Sequence, residues 1–399
     1  TTAETSGIVF AQGADGTRST SAAGRQILAA ALEVLHPAHA AQARAETQWR
    51  GRYPLHWRRL VQDGLASPHA VVPSAQAGLD AAWQALEWQG PTGPQTLRAA
   101  LASADTDRFE TVSVAGQADP VPAPWTVPLR GQQLHGAALQ AQLADWHARG
   151  IIEPAAAEAL ARCVAHPEWF DLSDRTLVLL GAASEAGPLQ WLLRWRAQVV
   201  AVDLDRSATW QRLEAMARAG NGVLRAPRRR AGDDAAPVPG ADLLRDAPAL
   251  AAWLRGLDRP LDIAALAYLD GERHVRVVLA MDMLQAALCE ADPRTSLAFL
   301  ATPTDVFAVR RPVQDAALAA HASRSAGSRL LQRLLALATG SRFFQPNSAM
   351  APDAARDSPY GVTDSLVLQQ GPNYALAKRL QQWRALVTRA AGHRVSLNV

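Results

Sequence analysis

The chain has 399 residues, of which 49% are hydrophobic and 19% charged, enough apolar sequence to bury one large core or two ordinary ones. Its formal net charge is +3 and no basic run alternates with aromatic residues, which argues against a nucleic-acid partner and favours a small-molecule substrate. No apolar run approaches the roughly 18 residues of a membrane span. Cys163 and Cys289 stand far apart inside apolar helical patterns, so we expect reduced thiols and a cytoplasmic location.

Residues 1–170, the first half of the chain, are rich in Ala, Gln and Trp, and their apolar residues recur at helical spacing. The first helix is predicted between the hydroxyl residues at 19–21 and Pro37. Further helices are predicted over 55–65, 75–88, 95–103, 134–149 and 154–165, with one strand over 108–114. These patterns indicate a mostly helical N-terminal domain of unknown role.

From about residue 171 short apolar runs alternate with helices, which is typical of βαβ units in a parallel sheet. Strands are predicted over 176–180, 198–202, 222–224, 261–268, 296–301 and 394–399, and helices over 188–196, 207–219, 247–257, 272–291 and 373–391. Right-handed crossovers then predict an α/β, doubly wound parallel sheet with strand order 3-2-1-4-5-6 over 171–399. Because the chain stops inside the last strand, we expect this domain to continue beyond Val399.

The first predicted strand runs into a glycine turn that contains Gly181, Ser184 and Gly187, and the next strand ends at Asp203. The glycines permit a tight turn and close helix packing, and the free N–H groups of a helix start attract a pyrophosphate. An acid at this position accepts hydrogen bonds from an adenosine ribose, which favours NAD slightly over NADP, although Arg206 can pair with a 2′-phosphate. S-adenosylmethionine suits the same unit, and a structural unit without a ligand is the third interpretation.

Tyr374 precedes Lys378 by four residues in a predicted helix, and Lys378 is the single lysine among 40 basic residues. Such economy indicates a task that arginine cannot perform. The spacing places both side chains on one helix face, where an ammonium stabilises a phenolate and reaches a nicotinamide ribose. A phenol in this setting can exchange a proton with a carbonyl or alcohol oxygen while a hydride moves to or from a cofactor.

The segment 374–378, with its helix and the apolar run 394–399, resembles the YxxxK helix and sixth strand of the short-chain dehydrogenases/reductases, a Rossmann-fold family. The resemblance covers only the second half. It implies an NAD(P)-dependent oxidoreductase acting on a carbonyl or alcohol of a small or lipid-like molecule, with Tyr374 as proton donor or acceptor assisted by Lys378. It also implies an adenine-contacting acid, Asp242, which can equally be a helix cap. Helices 272–291 and 373–391 would form a homodimer or homotetramer interface.

The hydroxyl that should hold the substrate oxygen departs from the family pattern. In the family a serine closes the fifth strand shortly before the tyrosine, whereas here that strand ends near Thr302 and an insertion over about 305–370 follows. Thr302 is the first candidate, because strand ends are fixed in space, and Ser365 is the second. The insertion contains a predicted helix over 329–338 and a loop over 343–361 that can close over a substrate.

Three functions remain open on the sequence alone. A methyltransferase using S-adenosylmethionine needs the glycine turn but not the tyrosine and lysine. A non-catalytic Rossmann-fold protein keeps the fold without the active-site geometry. His36 and His39 have helical spacing but no third ligand, so no metal site is predicted.

Overall fold

The computed structural model describes residues 6–13, 15–230, 238–257, 260–340, 347 and 358–398. The strands are β1 (Gly7–Phe10), β2 (Leu86–Gly90), β3 (Gly93–Gln95), β4 (Phe109–Ala115), β5 (Val127–Leu129), β6 (Gln132–Leu134), β7 (Thr176–Leu180), β8 (Gln198–Val202), β9 (Val223–Arg229), β10 (Leu261–Ala265), β11 (Ser296–Leu300), β12 (Val306–Arg310), β13 (Tyr360–Asp364) and β14 (Val395–Asn398).

The helices are α1 (Thr20–Leu35), α2 (Pro37–Ala45), α3 (Trp49–Ala66), α4 (Val71–Ala85), α5 (Leu97–Ala102), α6 (Gly136–Ala148), α7 (Pro154–Ala165), α8 (Leu189–Leu192), α9 (Ser207–Arg218), α10 (Leu243–Arg255), α11 (Glu272–Ala291), α12 (Arg311–Ala322), α13 (Ala326–Ala338) and α14 (Gly371–Ala390). Among the described residues, no helix is both long enough and apolar enough to cross a lipid bilayer.

A seven-stranded sheet forms the centre of the molecule, with strand order β14-β11-β10-β7-β8-β9-β4. The first six strands of this order are parallel, and β4 pairs antiparallel with β9 at one edge. The α/β class with a mostly parallel central sheet is therefore confirmed. The middle strands are continuous apolar runs, such as Val199–Val202, because helices cover both faces of the sheet.

Several predicted bounds were wrong. The helix predicted over 188–196 is only the single turn of α8, because Arg196 takes a left-handed φ of 62° and the chain reverses into β8. The strand predicted over 222–224 extends to Arg229, since β4 pairs along its whole length. In the insertion, β12 and α12 precede the predicted helix, which begins at Ala326 as α13, and β13 follows it and pairs antiparallel with β12.

The first half packs directly on this sheet. Its strand β4 extends the sheet, and one buried cluster joins residues of both halves, among them Leu28, Trp57, Val178, Leu180 and Trp383. The two parts of the chain therefore share a hydrophobic core.

A buried polar network also joins the halves. The Asp282 carboxylate on α11 accepts a hydrogen bond from Trp83 Nε1 on α4 at 2.7 Å and two from Arg384 on α14 at 2.6 and 2.9 Å. Around this network α11 is buried without interruption from His274 to Leu288, and α14 packs against α4. The faces that the family resemblance assigns to an oligomer interface are thus covered within one chain, and the oligomeric state stays a prediction.

Candidate functional site

Three sequence-predicted residues meet at the carboxyl end of β11. Helix α14 starts at Gly371, whose φ of 77° suits glycine, and Tyr374 and Lys378 follow on its first two turns. The Tyr374 hydroxyl donates to Thr302 Oγ1 at 3.0 Å, and Lys378 Nζ donates to the Leu300 carbonyl oxygen at 3.1 Å. The tyrosine and the lysine therefore face the same strand end, as the four-residue spacing predicts.

Thr302 is held rigidly in this position. Its side chain is 2% exposed, its Oγ1 lies 2.8 Å from Thr304 Oγ1, and it accepts a hydrogen bond from the Thr304 N–H at 3.1 Å. Ser365 is placed differently, since its N–H donates to the Asp305 carbonyl oxygen and no hydrogen bond between described residues joins it to Tyr374. The structure thus brings the first hydroxyl candidate to the phenol and not the second.

The Lys378 ammonium lies in a poorly solvated position. Burial lowers the pKa of the Lys378 amine, and no carboxylate of the described residues lies within ion-pair distance of Nζ. The second partner of Nζ is Gln381 Oε1 at 3.4 Å, a neutral acceptor. Among the described residues its charge is therefore not neutralised by a salt bridge, and it acts on the nearby His274 imidazole.

Two aromatic side chains that the sequence analysis did not select flank Tyr374. The His274 imidazole lies nearly parallel to the Tyr374 ring at 5.8 Å between centroids, and the Tyr268 ring lies at 6.2 Å with its plane inclined by 62°. Tyr268 also contacts His274 at 4.5 Å. His274 reads as part of an apolar helix, so its position near the phenol follows only from the packing of α11 against α14.

His274 is neutral in this environment. It is 1% exposed, and burial together with the charge of Lys378 lowers its pKa to about 4. Its Nδ1 accepts a hydrogen bond from the Leu269 N–H at 3.4 Å, which places the proton on Nε2, and Nε2 has no hydrogen-bond partner among the described residues. The neutral ring leaves Lys378 as the cation next to Tyr374.

A cavity of about 520 Å³ opens at the carboxyl ends of β7, β8 and β10. Of the predicted cofactor residues, Gly181, Ser184, Asp203 and Asp242 line it, and Gly187 does not. Three arginines that carry no family motif, Arg206, Arg245 and Arg273, also line it. Tyr374, Lys378 and Thr302 are not among the described lining residues, whereas Tyr268 is.

The glycine turn is built around Gly181, whose φ is 95°. A Cβ at this position would lie 2.6 Å from the Ala267 nitrogen, so only glycine lets the turn pass the end of β10. The Asp203 carboxylate closes the turn by accepting hydrogen bonds from the Ala183 N–H at 2.8 Å and the Leu204 N–H at 2.9 Å. These backbone bonds thus use part of the hydrogen-bonding capacity of Asp203 that the sequence analysis assigned to a ribose.

The helix start that the sequence predicts for pyrophosphate binding does not directly follow the glycine turn. Helix α8 begins at Leu189, well after the glycine turn, and a single turn has too short a dipole to hold a phosphate. Gly187 instead permits close packing, since a Cβ there would lie 3.0 Å from the Ser184 carbonyl oxygen and 3.4 Å from Leu266. Positive charge at the turn comes from Arg212, whose Nη2 donates to the Ala183 carbonyl oxygen at 3.2 Å.

Asp242 has the helix-cap role considered for it, and its contact with an adenine stays a prediction. It caps α10, its Oδ1 accepting from the Leu244 N–H at 2.9 Å, and it also lines the cavity. Most of the loop at 343–361 lies outside the described residues. Within the described part of the chain, no group of three or more His, Cys, Asp and Glu side chains is arranged to hold a metal ion.

Comparisons with protein-family models, with curated proteins and with solved structures found no match. The functional assignment therefore depends on the residues and distances given above.

Proposed function

We propose that the chain is an NAD(P)-dependent oxidoreductase that interconverts a carbonyl and an alcohol on a small or lipid-like molecule. One observation carries the proposal: Tyr374 and Lys378 both bond to the end of β11, and the phenol donates to a buried threonine hydroxyl at 3.0 Å. A non-catalytic protein does not need the Tyr374 and Thr302 hydroxyls and the single lysine together at one strand end.

The sheet supports the same proposal. Counted in chain order from β7, the six parallel strands lie in the order 3-2-1-4-5-6, the arrangement typical of dinucleotide-binding Rossmann folds. Ligands of such sheets bind outside the carboxyl ends of the strands where the order reverses, which here is between β7 and β10. The 520 Å³ cavity lies at this point, and its size is within the range of about 300–1,000 Å³ common for cofactor sites.

In the proposed reaction Tyr374 moves the proton. Its hydroxyl gives a proton to the carbonyl oxygen in reduction and recovers it from the alcohol in oxidation. Thr302, fixed by Thr304, orients the phenol and donates its own hydroxyl hydrogen to the substrate oxygen. Lys378 stabilises the phenolate that forms, because its charge is poorly solvated and not paired with a carboxylate among the described residues.

The cavity residues suit the adenosine end of a nicotinamide cofactor. In the proposed complex the pyrophosphate would pass Gly181 and Ser184, and the ribose and adenine would lie against Asp203 and Asp242, all of which line the cavity. Lys378, which does not line it, would contact the nicotinamide ribose. When bound, the cofactor supplies or accepts the hydride. Asp203 favours NAD slightly, with Arg206 and Arg245 on the same cavity as partners for the 2′-phosphate of NADP.

Thermal unfolding in the presence of candidate cofactors tests the proposal. A ligand present at about 100 times its Kd stabilises a folded protein by about 2.7 kcal/mol. We expect NADH or NADPH to raise the Tm of the chain and S-adenosylmethionine to leave it unchanged. Stabilisation by S-adenosylmethionine alone would indicate a methyltransferase, and no shift with any of these ligands would indicate a Rossmann-fold protein without this activity.

A further inference from the structure

One side chain neighbours both the cofactor cavity and the proposed catalytic pair. Among the described residues, Tyr268 lines the 520 Å³ cavity and contacts the Tyr374 ring, at 6.2 Å between centroids. Neither Tyr374 nor Lys378 lines that cavity. Tyr268 is therefore placed where a dinucleotide with its adenosine end in the cavity would extend toward Lys378.

The backbone beneath Tyr268 is fixed by hydrogen bonds, whereas its ring is held by side-chain contacts with Asp270, His274 and Tyr374. The N–H groups of Leu266 and Ala267 both donate to the Leu180 carbonyl oxygen, at 2.9 and 2.7 Å, which fastens the exit of β10 to the end of β7. The Tyr268 side chain is nevertheless 56% exposed. Exposed side chains change rotamer within nanoseconds, so the ring can leave without moving the sheet.

The contacts of Tyr268 are those of an aromatic side chain packed between neighbours. Its ring packs on His274 at 4.5 Å, and His274 lies nearly parallel to Tyr374. Its phenol also has a hydrogen bond to the Asp270 side chain, and burial and then the Asp270 carboxylate raise the pKa of the phenol. These contacts hold the ring beside Tyr374 in this structure.

We propose that Tyr268 is a gate between the dinucleotide cavity and the Tyr374–Lys378 pair, closed in this structure and displaced by the nicotinamide end of the cofactor. The inference rests on the proposed function, because it presumes a nicotinamide dinucleotide. With such a gate, the apparent affinity for the whole dinucleotide equals its intrinsic affinity multiplied by the fraction of time that the gate is open. The affinity for a shorter ligand is unchanged. ADP-ribose, which lacks the nicotinamide, is such a ligand.

Titration calorimetry with NADH and with ADP-ribose tests the gate. For Tyr268→Ala we expect the affinity for NADH relative to that for ADP-ribose to rise about tenfold, as for a gate that is open about 10% of the time, because any contact that Tyr268 makes from the cavity wall acts on both ligands. Tyr268→Phe keeps the ring but loses the hydrogen bond to Asp270, so it should bind ADP-ribose as the wild type does and NADH at least as tightly. Tyr360→Ala removes another exposed tyrosine, on β13 and away from this cavity, and serves as the surface control.

The results separate the gate from the proposed function. An unchanged or weakened affinity of Tyr268→Ala for NADH relative to that for ADP-ribose, with ADP-ribose still bound, would overturn the gate, since a weakened relative affinity would make Tyr268 a stacking platform. If no variant bound either ligand, the proposed cofactor would be wrong and the gate with it.

Discussion

Tyr374→Phe is expected to lower the turnover of a carbonyl substrate by about 100-fold to 10,000-fold, the range for loss of a positioned acid or base. The substitution removes the proton donor and the hydrogen bond to Thr302 but keeps the ring that packs against His274 and Tyr268. NADH affinity should therefore stay within about twofold of the wild type, since the ring and the cavity are unchanged.

The measurement is the loss of NAD(P)H absorbance with a carbonyl compound selected by screening. Tyr360→Phe, which removes an exposed hydroxyl on β13, is the matched control and should keep wild-type turnover. A Tyr374→Phe variant as active as the wild type would exclude the phenol as the proton donor.

Asp282→Ala is expected to lower the free energy of unfolding by about 3–5 kcal/mol, the cost of leaving a buried charge without its partner. Asp282 is 3% exposed and accepts hydrogen bonds from Trp83 and Arg384, so its removal leaves the Arg384 guanidinium, 12% exposed, without a counter-charge inside the contact between α4, α11 and α14. Asp282 links the two halves of the chain and also the two long helices α11 and α14, so its removal weakens both contacts.

Urea unfolding followed by tryptophan fluorescence measures this effect. Asp80→Ala, on the exposed side of α4, removes a carboxylate that accepts a hydrogen bond from Gln76 and should change the free energy by less than about 0.5 kcal/mol. A loss below about 1 kcal/mol for Asp282→Ala would mean that the network is solvated and does not bind the halves together.

The strands of the second half were predictable because each is a short apolar run with its own boundaries. Val199–Val202 and Val178–Leu180 are buried on both faces, and a run of that kind is visible without tertiary information. The length of helix α8 was overestimated because its end is not marked by the apolar pattern. The apolar residues continue to Trp195, but the left-handed conformation of Arg196 ends the helix, and arginine carries no signal for that conformation.

Pairings distant in sequence were not predictable. Strand β12 pairs Val306 with Asp364 across the insertion, and β4 pairs Phe109 with Arg229, and neither partner is marked by local periodicity. These pairings explain why the first half packs onto the sheet and why the two ends of the insertion lie side by side.

Within the site, prediction succeeded where geometry is local or fixed by strand ends. The four-residue spacing placed Tyr374 and Lys378 on one helix face, and the end of β11 placed Thr302. His274 could not be selected, because the sequence around a histidine in an apolar helix does not indicate which residues it contacts. Its contact with Tyr374 depends on how α11 and α14 pack.

The central claim, that the nicotinamide end of a dinucleotide lies beside Lys378, is tested most directly on the lysine itself. Because Lys378 is the only lysine, reductive methylation with ¹³C-formaldehyde adds one side-chain NMR signal, separate from that of the terminal amine and assigned by its absence in Lys378→Arg. Burial lowers the pKa of this amine, so the signal should titrate below the ordinary range of lysine. We predict that NADH or NADPH shifts the signal and that ADP-ribose does not, whereas a signal unchanged at saturating dinucleotide would contradict the assignment.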